Sequence, residues 1–141
     1  SYTGNRVTKF LDEFSLGFNG FSTFHKNMIS IAEKKVQDTV DTVDTFKVFL
    51  PIDGKEQKVV CIQCDHNINE VANKVIEKHD ADICLVVNLK SKNVSFRKNK
   101  RCKVNLSVLA NKLCDGGGHS DSAGGAVNEK FLKLSKMFTK V

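Results

Sequence analysis

Apolar residues fall along this chain in two rhythms, and the change between them comes near residue 45. Before it the spacing is helical. Phe10 and Phe14 share a face, as do Phe21, Phe24, Met28 and Ala32, with Val36, Val40 and Val43 following. This predicts helices over residues 5–16 and 22–43, with Gly17-Phe18-Asn19-Gly20 as a turn between them. A helix pair so rich in phenylalanine either caps a domain of its own or faces a partner domain.

After residue 45 the rhythm is that of strands. Phe46, Val48, Leu50 and Ile52 alternate with Lys47, Phe49 and Pro51, which predicts an edge strand able to hold proline. Asp53-Gly54 is a turn, and Lys58–Cys64 is the returning strand of a hairpin. Asn67 and Glu70 read as a capping box for a helix whose apolar face is Ile68, Val71, Ala72, Val75 and Ile76. Ala81–Leu89 contains the run Ile83–Val87, apolar on both faces, and predicts a central strand. Ser91-Lys92-Asn93 turns the chain into Val94–Lys98, where Val94 and Phe96 face one side and Ser95 and Arg97 the other. Asn105 or Ser107 caps a helix with Leu106, Leu109, Ala110 and Leu113 inward. Gly124–Val127 is a short strand, and Glu129–Phe138 is a closing helix with Phe131, Leu134 and Phe138 inward. The pattern predicts an α/β fold: a mixed central sheet flanked by helices, preceded by an N-terminal helical linker arm. The arm is residues 1–44 and the sheet domain residues 45–141.

Charge sharpens this picture. The chain carries a formal +6, but residues 1–82 hold ten Lys/Arg against thirteen Asp/Glu, while residues 83–141 hold twelve against three. Such asymmetry attracts polyanions, with Ser95, Lys98, Lys100, Arg101 and Lys103 as contacts. No run is apolar enough to cross a bilayer and no signal peptide is visible, so no membrane partner is expected. Five cysteines, an odd number set mostly in apolar stretches, fit reduced thiols in a cytoplasmic protein. Cys61 and Cys64, with His66 nearby, lack a second Cys pair and point to opposite faces of a strand, so no metal site is assigned. The chain begins at Ser1, which fits a processed protein or a piece of a longer one.

Candidate chemistry gathers in Asp115-Gly116-Gly117-Gly118-His119, followed by Ala123-Gly124-Gly125. Consecutive glycines leave backbone N–H groups free to turn toward an anion, with His119 beside them as donor or cation. Arg97, on the polar face of its strand, suits bidentate phosphate binding. Aromatic side chains are sparse after residue 50, only Phe96, Phe131 and Phe138, so recognition of phosphate and strand ends is expected over base stacking.

The strand bearing Ser95-Phe96-Arg97, the helix at Leu106–Cys114, the Gly116-Gly117-Gly118-His119 segment and Ala123-Gly124-Gly125 together resemble the DHH-associated domain. That is the C-terminal half of DHH-family phosphoesterases, which include RecJ-type exonucleases, nanoRNases and cyclic-dinucleotide phosphodiesterases. The resemblance covers roughly residues 45–138. It implies a substrate-binding domain whose Gly116, Gly117, Gly118 and His119 contact a phosphate and whose Arg97 contacts a phosphate or terminal group. Catalysis and manganese would belong to an N-terminal DHH domain of the same full-length chain, and no catalytic residue or cofactor to the residues here. The sequence departs from the family at Lys98, Ser120 and Ser122 and has no Asp-His-His triplet; Cys64-Asp65-His66-Asn67 is a near miss on a strand-to-helix turn.

The expected ligand is a short single-stranded nucleic acid or nucleotide, and homodimerisation stays open. A second reading is a stand-alone nucleic-acid-binding or regulatory module without hydrolase activity. A third, ranked below both, is the related domain of alanyl-tRNA synthetases.

Overall fold

The computed structural model describes the backbone of residues 15–141, with side chains from residue 22 onward. In chain order the elements are α1 (Ser15–Thr42), β1 (Phe46–Ile52), β2 (Lys55–Gln63), α2 (Ile68–His79), β3 (Ile83–Asn88) and β4 (Asn93–Lys98). Then follow α3 (Leu106–Cys114), β5 (Gly117–Gly118), β6 (Ser122–Ala126), α4 (Glu129–Ser135) and β7 (Thr139–Lys140). The seven strands form one sheet in the order β5-β6-β4-β3-β2-β1-β7. Among the described residues only β2 and β3 pair in parallel, through the crossover helix α2; the other pairs are antiparallel. The fold is therefore α/β with a mixed open sheet.

Burial follows from the sequence. Ile83–Val87 is an unbroken apolar run in β3, and all five residues are buried because both faces of the sheet are covered there. On one face Val59, Leu85 and Phe96 join Leu106 and Leu109 of α3 and Phe131 and Leu134 of α4 in a single core cluster. Alternation sends Val60, Ile62, Cys84 and Val86 to the opposite face, toward the buried Val71, Ala72, Val75 and Ile76 of α2. Each fully buried Val, Leu, Ile or Phe contributes about 1.5–3 kcal/mol relative to exposure.

Local chemistry sets the connections. Asp53 (φ 51°) and Gly54 (φ 79°) both have positive φ, the demand of a tight two-residue hairpin that Asp-Gly meets. Asn105 caps α3, its side chain accepting from Ser107 N–H at 3.0 Å and Val108 N–H at 3.3 Å. Asn128 does the same for α4.

Several expectations need correction. No turn interrupts α1, which runs through Gly17-Phe18-Asn19-Gly20. Glycine weakens a helix by about 1 kcal/mol relative to alanine but, unlike proline, removes no backbone donor. The part of the first helix expected before residue 15 lies outside the described residues. Asn67 forms no capping box: it sits at φ 48°, ψ 46° and makes no side-chain cap hydrogen bond. From this left-handed conformation its side chain is not aimed at the first-turn amides, as an extended cap residue's would be. The closing helix stops at Ser135, and the chain then adds β7 to β1, opposite Phe46 and Lys47. Pro51 lies beyond the reach of β7, on open edge where its missing N–H costs nothing.

The chain divides into two compact units, one ending at Val36 and the other running Gln37–Val141. In the first, Phe24, Met28, Ile29 and Ile31 are exposed. The sheet and all sites below belong to the second. No helix among the described residues is long and apolar enough to cross a membrane.

Candidate functional site

The glycine-rich segment is an edge strand that turns into a hairpin. Asp115 adopts the left-handed conformation that closes α3 (φ 55°). Gly116 N–H then donates to the Ala110 carbonyl at 3.0 Å, and Gly117 and Gly118 pair with Gly124 and Ala123 of β6. His119 N–H donates to the Ser122 carbonyl at 2.9 Å across the turn. Antiparallel ladders alternate hydrogen-bonded and outward-facing residues, so Gly117 shares the bonded class of His119 and turns its N–H to β6. Gly118 belongs to the other class, and its N–H points off the sheet edge. The expectation of a row of bare amides is thereby narrowed to one. The glycines have a structural reason as well: a Cβ on Gly116 would strike the Gly124 carbonyl oxygen, and one on Gly118 (φ 141°) would come within 2.8 Å of Ala123 Cα.

Register brings the two expected side chains into line. Arg97 of β4 is directly opposite Ser122 of β6, and Ser122 is bonded to His119. Directly opposed residues point to the same face, so Arg97, Ser122 and His119 form one row across three chain segments. At roughly 4.8 Å per strand the outer backbones are about 10 Å apart. Phe96 and Ala123, one position along, face the core. Ser95 lies on the face of Arg97, half-buried opposite Gly124.

Arg97 is held from both sides. Its Nε–H donates to Asn69 Oδ1 on α2 at 2.7 Å, and Nη1 donates to the Phe96 carbonyl at 2.9 Å and the Ala123 carbonyl at 3.5 Å. Partial burial lowers its pKa, yet a guanidinium so placed remains a cation. All three partners are neutral, so the charge is positioned but not cancelled. Asn69 was not legible as a site residue, because nothing in the sequence links it to a strand 28 positions away. Ser122 was visible only as a departure from the family pattern.

The other expected polyanion contacts divide. Lys98 is nearly buried, its Nζ donating to the Val104 carbonyl at 2.7 Å and pairing with Asp121 at 3.1 Å. Arg101 is bound to Asp80 at 2.7 Å and Asp82 at 3.4 Å. Both positive groups have partners within the fold, Lys98 in a nearly buried site and Arg101 in exposed ion pairs. Lys100 and Lys103 are exposed. Asp115, next to the glycines, is paired with Lys130 at 2.9 Å, which offsets its repulsion of an anion.

A second polar cluster lies where β2 and β3 end. Asp65 contacts Lys90 Nζ at 2.9 Å and His66 Nδ1 at 3.1 Å, and His66 Nε2 is 3.0 Å from Thr39 Oγ1. Hydrogen bonds from Lys90 and His66 lower the Asp65 pKa to about 2. Cys64 is buried and donates to the His66 carbonyl at 3.0 Å, whereas Cys61 packs against the opposite core with its thiol pKa raised by burial to about 12. Among the described residues no three His, Cys, Asp or Glu side chains are gathered as a metal would require. Asp41 accepts from Gln37, and Asp44 pairs with Lys140.

No family model and no curated protein matches the chain. Among solved structures, it is similar to an uncharacterized protein from Helicobacter pylori G27, with 24% identity over 65% of this chain and 28% of that one, at a TM-score of 0.49. It is also similar to an exopolyphosphatase-related protein from Bacteroides fragilis (17% identity, 55% of this chain and 27% of that one, TM-score 0.43). A pGpG-specific phosphodiesterase from Vibrio cholerae is a third (12% identity, 76% and 35%, TM-score 0.42). The chain spans about a quarter to a third of the length of these proteins.

Proposed function

We propose that this chain is the substrate-gripping domain of a DHH-type phosphodiesterase, holding a phosphate of a short single-stranded nucleic acid or nucleotide. The reading is carried by one observation: a half-buried guanidinium, held only by neutral acceptors, stands in line with Ser122 and His119. Arg97 offers a charged donor, His119 a second donor, and Gly118 a backbone N–H at the edge. Such fixed donors orient a phosphodiester and stabilise charge that develops on its oxygens. The motif resemblance of residues 95–97, 116–119 and 123–125 supports the same assignment.

In such an enzyme the metal ions would activate water in an N-terminal DHH domain of the full-length chain, and the residues here would bind and orient. The alternative, a stand-alone nucleic-acid-binding or regulatory module, draws on the basic balance of residues 83–141. It is weakened because Lys98, one of the basic residues it would use, is nearly buried and held by the Val104 carbonyl and Asp121.

Titration with a 5′-phosphorylated dinucleotide tests the proposal. Arg97→Ala is expected to weaken binding about 10- to 100-fold, the worth of one charged hydrogen bond, and His119→Ala by a smaller factor. Equal affinity in both variants would refute phosphate recognition at this edge. A salt dependence as steep as several released counterions, with these variants indifferent, would favour the stand-alone reading.

A further inference from the structure

We propose that the groove along the flank of α2, directly beyond the Arg97–Asn69 pair, receives the sugar and base of a nucleotide. The proposal rests on the phosphate reading above and extends it, since the nucleotide's phosphate would lie at Arg97 and His119.

Topology places this groove. Because β2 and β3 are parallel, α2 runs back against them, and β4 is antiparallel to β3. Helix α2 and strand β4 therefore run in the same direction. From Asn69, the next residues on that flank of α2 are Asn73 and Glu77, each one turn on. From Arg97 the chain of β4 continues into Lys98 and Asn99. Between these two lines lies a cavity of about 510 Å³, lined by Asn73, Ile76, Glu77 and Asp80 on one side and residues 98–100 on the other. That is within the size range of pockets for small organic ligands.

The far wall is already ordered. Asn99 N–H donates to the Asp82 carbonyl at 2.8 Å, Asn99 Nδ2 to the Ala81 carbonyl at 3.2 Å, and Arg101 Nη1 to Asp80 Oδ1 at 2.7 Å. A ligand entering the groove does not have to order that wall, which lowers the entropic cost of binding.

Its chemistry complements that of the phosphate row. Lys98 Nζ is committed to the Val104 carbonyl and Asp121, which leaves the exposed Lys100 as the cation the lining offers. Glu77 stands against Lys100 and Asp80 is paired with Arg101, so the lining has no net positive charge for a second phosphate, while a carboxylate accepts well from sugar hydroxyls or base N–H groups. Asn73 both donates and accepts. Ile76, 4% exposed, is the lining's one apolar side chain. An anion at Arg97 with a neutral, hydrogen-bonding remainder in the groove matches a nucleoside phosphate better than it matches inorganic phosphate or polyphosphate.

The test compares three probes on the chain: inorganic phosphate, ribose 5-phosphate and a nucleoside 5′-monophosphate. The nucleotide is expected to bind about tenfold tighter than inorganic phosphate, the worth of one or two additional net hydrogen bonds. Asn73→Ala combined with Glu77→Gln, both exposed positions, is expected to bring that ratio near unity while leaving phosphate affinity unchanged. An unchanged circular dichroism spectrum separates this from unfolding. A nucleotide preference that survives the double variant, or a wild-type chain with no preference, overturns the subsite while leaving the phosphate row intact. Phosphate binding indifferent to Arg97→Ala would instead bring down the phosphate reading, and the subsite with it.

Discussion

At the centre of the sheet, Ile83, Cys84, Leu85 and Val86 are wholly buried, and each fills space with its side chain. At the β5–β6 edge, Gly116, Gly118 and Gly125 stand where backbone and sulfur come too close for any side chain. The centre is specified by what its residues carry, and the edge by what its residues lack. Interiors pack near crystal density, so the centre accepts an apolar exchange of similar volume but not a deletion. The edge accepts no added carbon at those three positions, and this closeness is what aligns His119 with Ser122 and Arg97.

This contrast can be tested from both sides by urea unfolding. The largest effect is expected at the centre, where Leu85→Ala should cost about 2–5 kcal/mol, against less than about 1.5 kcal/mol for Leu85→Met. At the edge, Gly125→Ala would drive its Cβ into Cys114 Sγ and should cost about 1–3 kcal/mol. Adding Cys114→Ala removes the obstructing sulfur, so the double variant should be less destabilised than the sum of the singles. Strict additivity would show that the close approach does not govern the edge.

Much of the centre was legible because periodicity reports burial directly. The alternation in Phe46–Ile52, the run Ile83–Val87 and the α2 face at Val71, Ala72, Val75 and Ile76 all stand where the spacing put them. Strand β7 was not legible: two residues make too short a pattern, and their place depends on pairing with Phe46 and Lys47 far away in sequence. The glycine segment was recognised as special, but the fate of its amides was not, because a ladder to β6 and a bond to Ala110 are tertiary facts. Arg97 was legible by strand phase, whereas its anchor Asn69 and the internal pairing of Lys98 and Arg101 were not.

The smallest effect lies at the polar cluster after β2. The Asp65 carboxyl falls from 3.8 to about 2 through Lys90 and His66. A depressed folded pKa contributes stability above the unfolded value, and that contribution is lost as pH falls through the folded one. The Tm difference between wild type and Asp65→Asn should therefore be steady above about pH 4 and vanish toward pH 2. A difference that persists unchanged at pH 2 would mean that Asp65 acts through shape and not charge.

Amide NMR during a titration with 5′-phosphorylated dinucleotide tests the central claim most directly. The Gly118 amide is expected to exchange fast in the free chain and to shift on binding, while Gly116, Gly117 and His119 amides are protected beforehand and move little. Arg97→Ala should abolish the Gly118 shift. A Gly118 amide that is already protected and does not respond, or one that responds equally without Arg97, would contradict a phosphate held at this edge.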